Sequence, residues 1–137
     1  MTRPDETPEL IEKRKMYVIV RGDLPPGLRA AQAGHAVAEA CLRMPNTADL
    51  WHTDEDGNYL IILEVDDEKA LLDAYHLVKS YDIRRELFRE PDLSLEATAF
   101  ACLPSPELNH VLSHLPLAYT KRRWGARLRR YFGVMPS

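Results

Sequence analysis

The chain has 137 residues, of which 45% are hydrophobic and 28% charged, with a net charge of −3 at neutral pH. That is the length of one domain with enough apolar residues for a packed core, and it excludes a disordered or low-complexity chain. The charge is uneven: Lys121, Arg122, Arg123, Arg127, Arg129 and Arg130 fall between Tyr119 and Ser137 with no acid among them, and removing those six cations from the total leaves −9 on the rest. Such a segment suits either a polyanionic partner or a basic helix that docks on its own body.

Cys41 and Cys102 stand far apart without CxxC spacing, so neither a disulfide framework nor a zinc site is indicated. Both have apolar neighbours and are expected to be buried thiols, as in a reducing cytoplasm. The N-terminus is acidic and lacks the apolar stretch of a secretory signal, and no apolar run approaches the length of a membrane span. A cytoplasmic protein without a membrane partner is expected.

Residues 1–14 are polar and read as a flexible arm. Met16–Val20 is a continuous apolar run with β-branched residues, expected as a strand buried on both faces. Arg21-Gly22-Asp23-Leu24-Pro25-Pro26-Gly27 reads as a turn, and a helix follows from about Leu28 to Met44. Pro45 is expected to end that helix and Ala48–Gly57 to form a polar loop around Trp51 and His52. Tyr59–Val65 reads as a second strand. Asp66 is a candidate cap for the next helix, whose apolar stripe is Ala70, Leu71, Ala74, Leu77 and Val78. Ile83–Phe88 is a third strand, more polar and so nearer a sheet edge. Arg89-Glu90-Pro91-Asp92 breaks it, and Glu96–Leu103 is the fourth. Pro106–Leu115 is expected to be helical, and Thr120–Phe132 to form a basic helix with Trp124, Leu128, Tyr131 and Phe132 on one side. The order β-α-β-α-β-β-α indicates an α/β layered sheet with a parallel component.

Two groups of residues have the composition of a chemical site. Arg21 and Asp23 lie at the carboxyl end of the first strand, where an open α/β sheet places its ligand crevice. Gly27 and the helix start offer backbone N–H groups to an anion. Gln32 carries both a donor and an acceptor, and His35, three residues on, could exchange protons near neutral pH. The plainer alternative is a packing amide and a helix histidine satisfied by a neighbouring carbonyl. The second group is Glu90, Asp92 and Thr98, able to bind a ribose, orient a water or hold an arginine; alternatively the loop is merely charged, with Asp92 as turn former. No glycine-rich phosphate loop, GxSxG elbow or HExxH pattern is present. His110 and His114 have the spacing of a metal pair without further ligands, so neither a metal nor a cofactor is expected.

Val18-Ile19-Val20-Arg21-Gly22-Asp23-Leu24, then Gly27, then Ala30-Ala31-Gln32-Ala33-Gly34-His35-Ala36 resembles the type II peptidyl-tRNA hydrolases, in a divergent bacterial or phage-like branch. The resemblance continues through the second strand, the following helix, and Thr98-Ala99-Phe100-Ala101 with Pro104, covering roughly residues 15–115. It implies a three-layer α/β/α fold with a mixed four-stranded sheet, bounded here as a domain over 15–117 with a basic tail over 118–137. It also implies metal-independent hydrolysis of the ester joining a peptide to tRNA, and suggests a homodimer. A lysine usually stands four residues before the glutamine; here that place is Leu28, with Arg29 beside it. In place of the family's aspartate stands Glu90-Pro91-Asp92.

Under this resemblance Asp23, Gln32, His35, Glu90 and Asp92 are the catalytic candidates. Arg21, Gly27, Arg29, Thr98, Arg122, Arg123 and Trp124 are the candidates for binding tRNA. Gln32 and the helix-start N–H groups would face the tetrahedral oxygen, His35 or Asp92 the water, and the tail cations the phosphates. The competing expectation, favoured by Leu28, is a catalytically altered member that binds a protein, nucleic acid or small molecule without cleaving it.

Overall fold

The computed structural model describes residues 14–120. Four strands form one sheet in the order β2-β1-β4-β3: β1 (Lys15–Arg21), β2 (Tyr59–Val65), β3 (Arg85–Glu90) and β4 (Glu96–Cys102). β1 and β2 pair in parallel, while β4 runs antiparallel to both β1 and β3. The sheet is therefore mixed, with the apolar β1 central and the more polar β3 at an edge, as the composition suggests.

Side chains alternate between the faces of a strand, and both faces here are apolar. Met16, Val18, Val20, Ala99, Ala101 and Leu103 pack against α1 (Pro26–Arg43) and against Trp51 of α2 (Pro45–Thr53). Tyr17, Ile19, Leu63, Val65 and Phe100 pack against α3 (Glu68–Ser80) and the single turn α4 (Leu108–Val111). This gives the three layers. On the first face, Ala33, Ala36 and Ala40 are buried, and their small size lets α1 lie close to β1 and β4.

Several local expectations need correction. Pro45 does not lead into a loop: it occupies the first turn of α2, where its fixed φ fits and its missing N–H is not needed. The element order is consequently β-α-α-β-α-β-β-α. The cap of α3 is Asp67, whose carboxylate accepts from the Ala70 N–H at 2.9 Å, and not Asp66. The helix expected over 106–115 shrinks to α4, because Leu112 and Leu115 enter hydrogen-bonded turns after one helical turn. β3 runs on to Glu90, two residues beyond Phe88. Cys102 is buried, and burial raises its thiol pKa, whereas Cys41 is half-buried. The expected basic helix of the tail lies outside the described residues.

The β1–α1 turn is held from below by a buried ion pair. Arg29 and Glu64 are both fully buried, with Nη1 to Oε1 at 2.8 Å. Arg29 Nη2 also donates to the carbonyl oxygens of Gly22 (3.0 Å) and Leu24 (2.7 Å), and the guanidinium lies 5.0 Å from the Tyr119 ring centre. Gly22 is glycine for steric reasons, since a Cβ there would stand 2.7–2.9 Å from the side-chain atoms of Glu64. Removing one member of a buried pair strands the other charge without compensation. Glu64→Gln and Arg29→Met should each lower unfolding free energy in urea by about 3–5 kcal/mol, and the double substitution Arg29→Met with Glu64→Leu should lose less than the sum of the two.

Candidate active site

The carboxyl ends of β1, β2 and β3, the start of β4 and the start of α1 meet at one end of the sheet, as their directions and pairing require. α1 begins there without a side-chain cap and without an acid in its first turn, so its first N–H groups face no competing carboxylate cap. Gly27 is exposed, with nothing within 4 Å of where a Cβ would stand. Leu28 beside it is half-buried.

Gln32 leaves the buried face of α1 and is fully shielded. Its Nε2 donates to Glu90 Oε1 at 2.9 Å, and its Oε1 accepts from the Thr98 hydroxyl at 2.5 Å. A carboxylate only accepts hydrogen bonds, so Glu90 requires the nitrogen side of the amide, and Thr98 holds the oxygen side. Glu90 is half-buried, and none of the described residues binds its second oxygen. The result is a carboxylate aimed from the protein interior by a locked amide.

Thr98 reaches Gln32 because β4 is bulged. Phe88 pairs with Ala99, but Arg89 pairs with Ala97, which leaves Thr98 as the extra residue. A bulge re-aims a side chain and interrupts the ladder. Thr98 and Ala99 thus both lie on the α1 side. The β1 ladder ends at Val20–Ala99, and the backbone of Ala97 turns to side chains: its N–H donates to Glu68 at 2.7 Å, and its carbonyl accepts from Arg21 at 3.2 Å.

Arg21 spends its donors inside the protein. Nε and Nη2 form a fork on Asp23 at 3.0 and 2.8 Å, and Nη1 donates to Glu96 at 2.6 Å. The guanidinium holds the Asp23 carboxyl below the usual carboxylate range, chiefly through that fork. The loop between β3 and β4 is tight: after the 3-10 turn Pro91–Leu93, Ser94 (φ 56°) and Leu95 (φ 63°) are both left-handed without being glycine. Such conformations cost about 1–3 kcal/mol each and cluster where a site is held in place. Here Leu95 N–H bonds back to the Glu90 carbonyl, at 3.0 Å.

The sequence-based candidates therefore separate. Gln32, Glu90 and Thr98 come together. His35 is exposed, stacked on Phe88 with ring centres 4.6 Å apart. Asp23 belongs to the Arg21 network, and Asp92 is exposed in the 3-10 turn with no partner among the described residues. Arg21 and Arg29, expected to hold phosphates, are buried and bonded internally, because carboxylates and turn carbonyls already take up their donors. Arg122, Arg123 and Trp124 lie outside the described residues. Glu64, Glu68, Glu96 and Phe88 were not singled out from the sequence. Only Glu64 carried a signal, as an acid inside the apolar run of β2. A cavity of about 300 Å³ runs along the β2 flank of α1, lined by Val18, Val20, Ala33, Val37, Leu60 and Ile62 among others; it is apolar, and the polar triad lies on the other flank.

The depressed Asp23 pKa sets a pH window. A lowered folded-state pKa gives stability above the unfolded value near 4 that is lost as pH falls through the folded value. The stability difference between wild type and Asp23→Asn, read from urea midpoints, should be constant above about pH 5 and shrink below about pH 4.

A model of the family described as peptidyl-tRNA hydrolase PTH2 matches residues 14–118. A peptidyl-tRNA hydrolase of Methanocaldococcus jannaschii is 30% identical over 116 residues, spanning 75% of this chain and 98% of that protein. Among solved structures, a protein of unknown function, Atu0240, from Agrobacterium tumefaciens strain C58 superposes with a TM-score of 0.57. It covers 77% of this chain and 97% of its own, at 14% identity, a likeness of fold alone. The family match spans the whole of the sheet and the strand–turn–helix that carries Gln32, and the chain belongs to the peptidyl-tRNA hydrolase PTH2 family.

Proposed function

We propose that this chain hydrolyses the ester of peptidyl-tRNA, releasing tRNA and peptide, with Glu90 as the base that activates water. The observation that carries the reading is the Gln32 amide clamped between Glu90 and Thr98 at the sheet end where such folds bind ligand. Glu90 takes a proton from water through its second oxygen, hydroxide equivalent adds to the ester carbonyl, and the ribose oxygen leaves with a proton. The uncapped start of α1 offers N–H groups to the developing oxyanion. Gln32 acts as a positioning residue, since it is buried beneath the carboxylate. No cofactor enters the scheme.

Electrostatics assign the tail a part. Asp23, Asp66, Asp67, Glu68, Glu90, Asp92 and Glu96 all lie at the site end, while Arg21 and Arg29 there are already paired. Arg89, beside Glu90, is exposed and bonds the Leu95 carbonyl at 3.2 Å; an anionic RNA would gain further cations from Lys121, Arg122, Arg123, Arg127, Arg129 and Arg130. Tyr119 brings the chain to this end, its hydroxyl donating to the Pro26 carbonyl at 2.9 Å. The reading places the protein in the cytoplasm, where translation supplies the substrate; sedimentation would reveal the suggested homodimer.

Leu28, at the place the family resemblance gives to lysine, favours a second reading, a member that binds tRNA without cleaving it. One assay separates them. Wild type incubated with N-blocked aminoacyl-tRNA should release tRNA, Glu90→Gln should lose about 10²–10⁴-fold in kcat, and Asp92→Asn should stay near wild type. Binding without cleavage by the wild type would leave the second reading standing. Truncation after Thr120 should weaken tRNA binding and flatten its salt dependence.

A further inference from the structure

We propose that the His35–Phe88 stack is a platform for a nucleobase, the terminal adenine of the substrate tRNA, and that His35 acts there as a flat ring rather than as an acid or base. The inference deepens the ester-hydrolase reading and rests on it for the identity of the base.

The geometry is that of a backed plane. The imidazole and the Phe88 ring are 4.6 Å apart at an interplanar angle of 13°, so one face of His35 is covered by an aromatic ring that is partly buried and packs against the sheet-face core. His35 is nonetheless exposed. Several neighbours on the exposed side of α1 are short: Ala31 and Ala38 are exposed one turn away in either direction, and next to it Gly34 has nothing within 4 Å of where a Cβ would stand, while Glu39, four residues on, accepts from Arg43 Nε at 3.4 Å, one turn further along the helix. No long side chain at those positions shades the ring. A supported, solvent-facing ring with clear surroundings is what a stacking base requires, and such stacking tolerates any ring with a π face.

Its place relative to the polar triad fits the ligand. His35 is three residues from Gln32 on α1, a separation that sets Cβ atoms about 5–6 Å apart. Phe88 is two residues from Glu90 on the same face of β3, about 6–7 Å along the strand. The stack and the Glu90 carboxylate are thus separated by roughly the breadth of one ribose, the unit that links an adenine to an ester on its own sugar. A base on His35 would bring its ribose ester toward Glu90. An acid–base role fits less well, because none of the hydrogen bonds or ion pairs among the described residues connects His35 to Glu90, Gln32 or Thr98.

The test uses the full chain and two RNA trinucleotides, CCA and the same trinucleotide ending in an abasic ribose, titrated by NMR, alongside ester cleavage of N-blocked aminoacyl-tRNA. Wild type should prefer the base-bearing trinucleotide and shift the adenine H2 and H8 resonances upfield. His35→Ala should lose that preference, binding CCA roughly tenfold or more weakly, and should raise KM more than it lowers kcat. His35→Phe should keep both the preference and kcat. Equal binding of the two trinucleotides by wild type, no binding of either, or a His35→Phe variant as impaired in kcat as His35→Ala would each overturn the platform. Cleavage without base preference would remove the platform and leave the hydrolase, whereas base stacking without cleavage would remove the hydrolase and leave the platform.

Discussion

The structure depends first on the Arg29–Glu64 pair. Two opposite charges with no exposure, one on α1 and one on β2, are costly to desolvate, and they are tolerated only because the guanidinium also satisfies two turn carbonyls. That arrangement ties the second turn of α1, the β1–α1 turn and β2 into one unit. It dictates glycine at position 22, and it sets the height at which α1 starts above the sheet. Everything on α1, Gln32 and His35 included, inherits its position from this anchor.

The second constraint is at the start of β4. There the ordinary ladder gives way to side chains: Arg21 and Glu68 take the backbone of Ala97, and the strand bulges at Thr98. The bulge converts a residue that would face α3 into one that faces α1. A carboxylate at the end of an edge strand, an amide on a helix and a hydroxyl on a bulge then converge from three elements. The left-handed pair Ser94–Leu95 closes the same corner behind Glu90.

Much of the frame was legible in the chain. β1 and β2 are apolar runs of strand length, and α1 and α3 have helical spacing, so their pairing in parallel followed from the crossover. The second helix was not legible, because Pro45 stops one helix and starts another with the same ring chemistry. At the site, Gln32, Glu90 and Thr98 were all candidates, but so were Asp23, Asp92 and two arginines. Sequence does not tell an arginine that reaches outward from one that folds inward onto a carboxylate two residues away or on a neighbouring element; Arg21 and Arg29 are both of the inward kind. Nor does it mark the bulge, since no glycine or proline stands at Thr98. Glu90 was separated from Asp92 only by where β3 stops.

In the proposed reaction the buried amide of Gln32 works through the carboxylate of Glu90. That dependence is tested most directly by a double-mutant cycle in single-turnover cleavage of N-blocked aminoacyl-tRNA. If the two residues act as one unit, Gln32→Ala in a Glu90→Gln background should cost little beyond Glu90→Gln alone. Additive losses from the two substitutions would contradict the account.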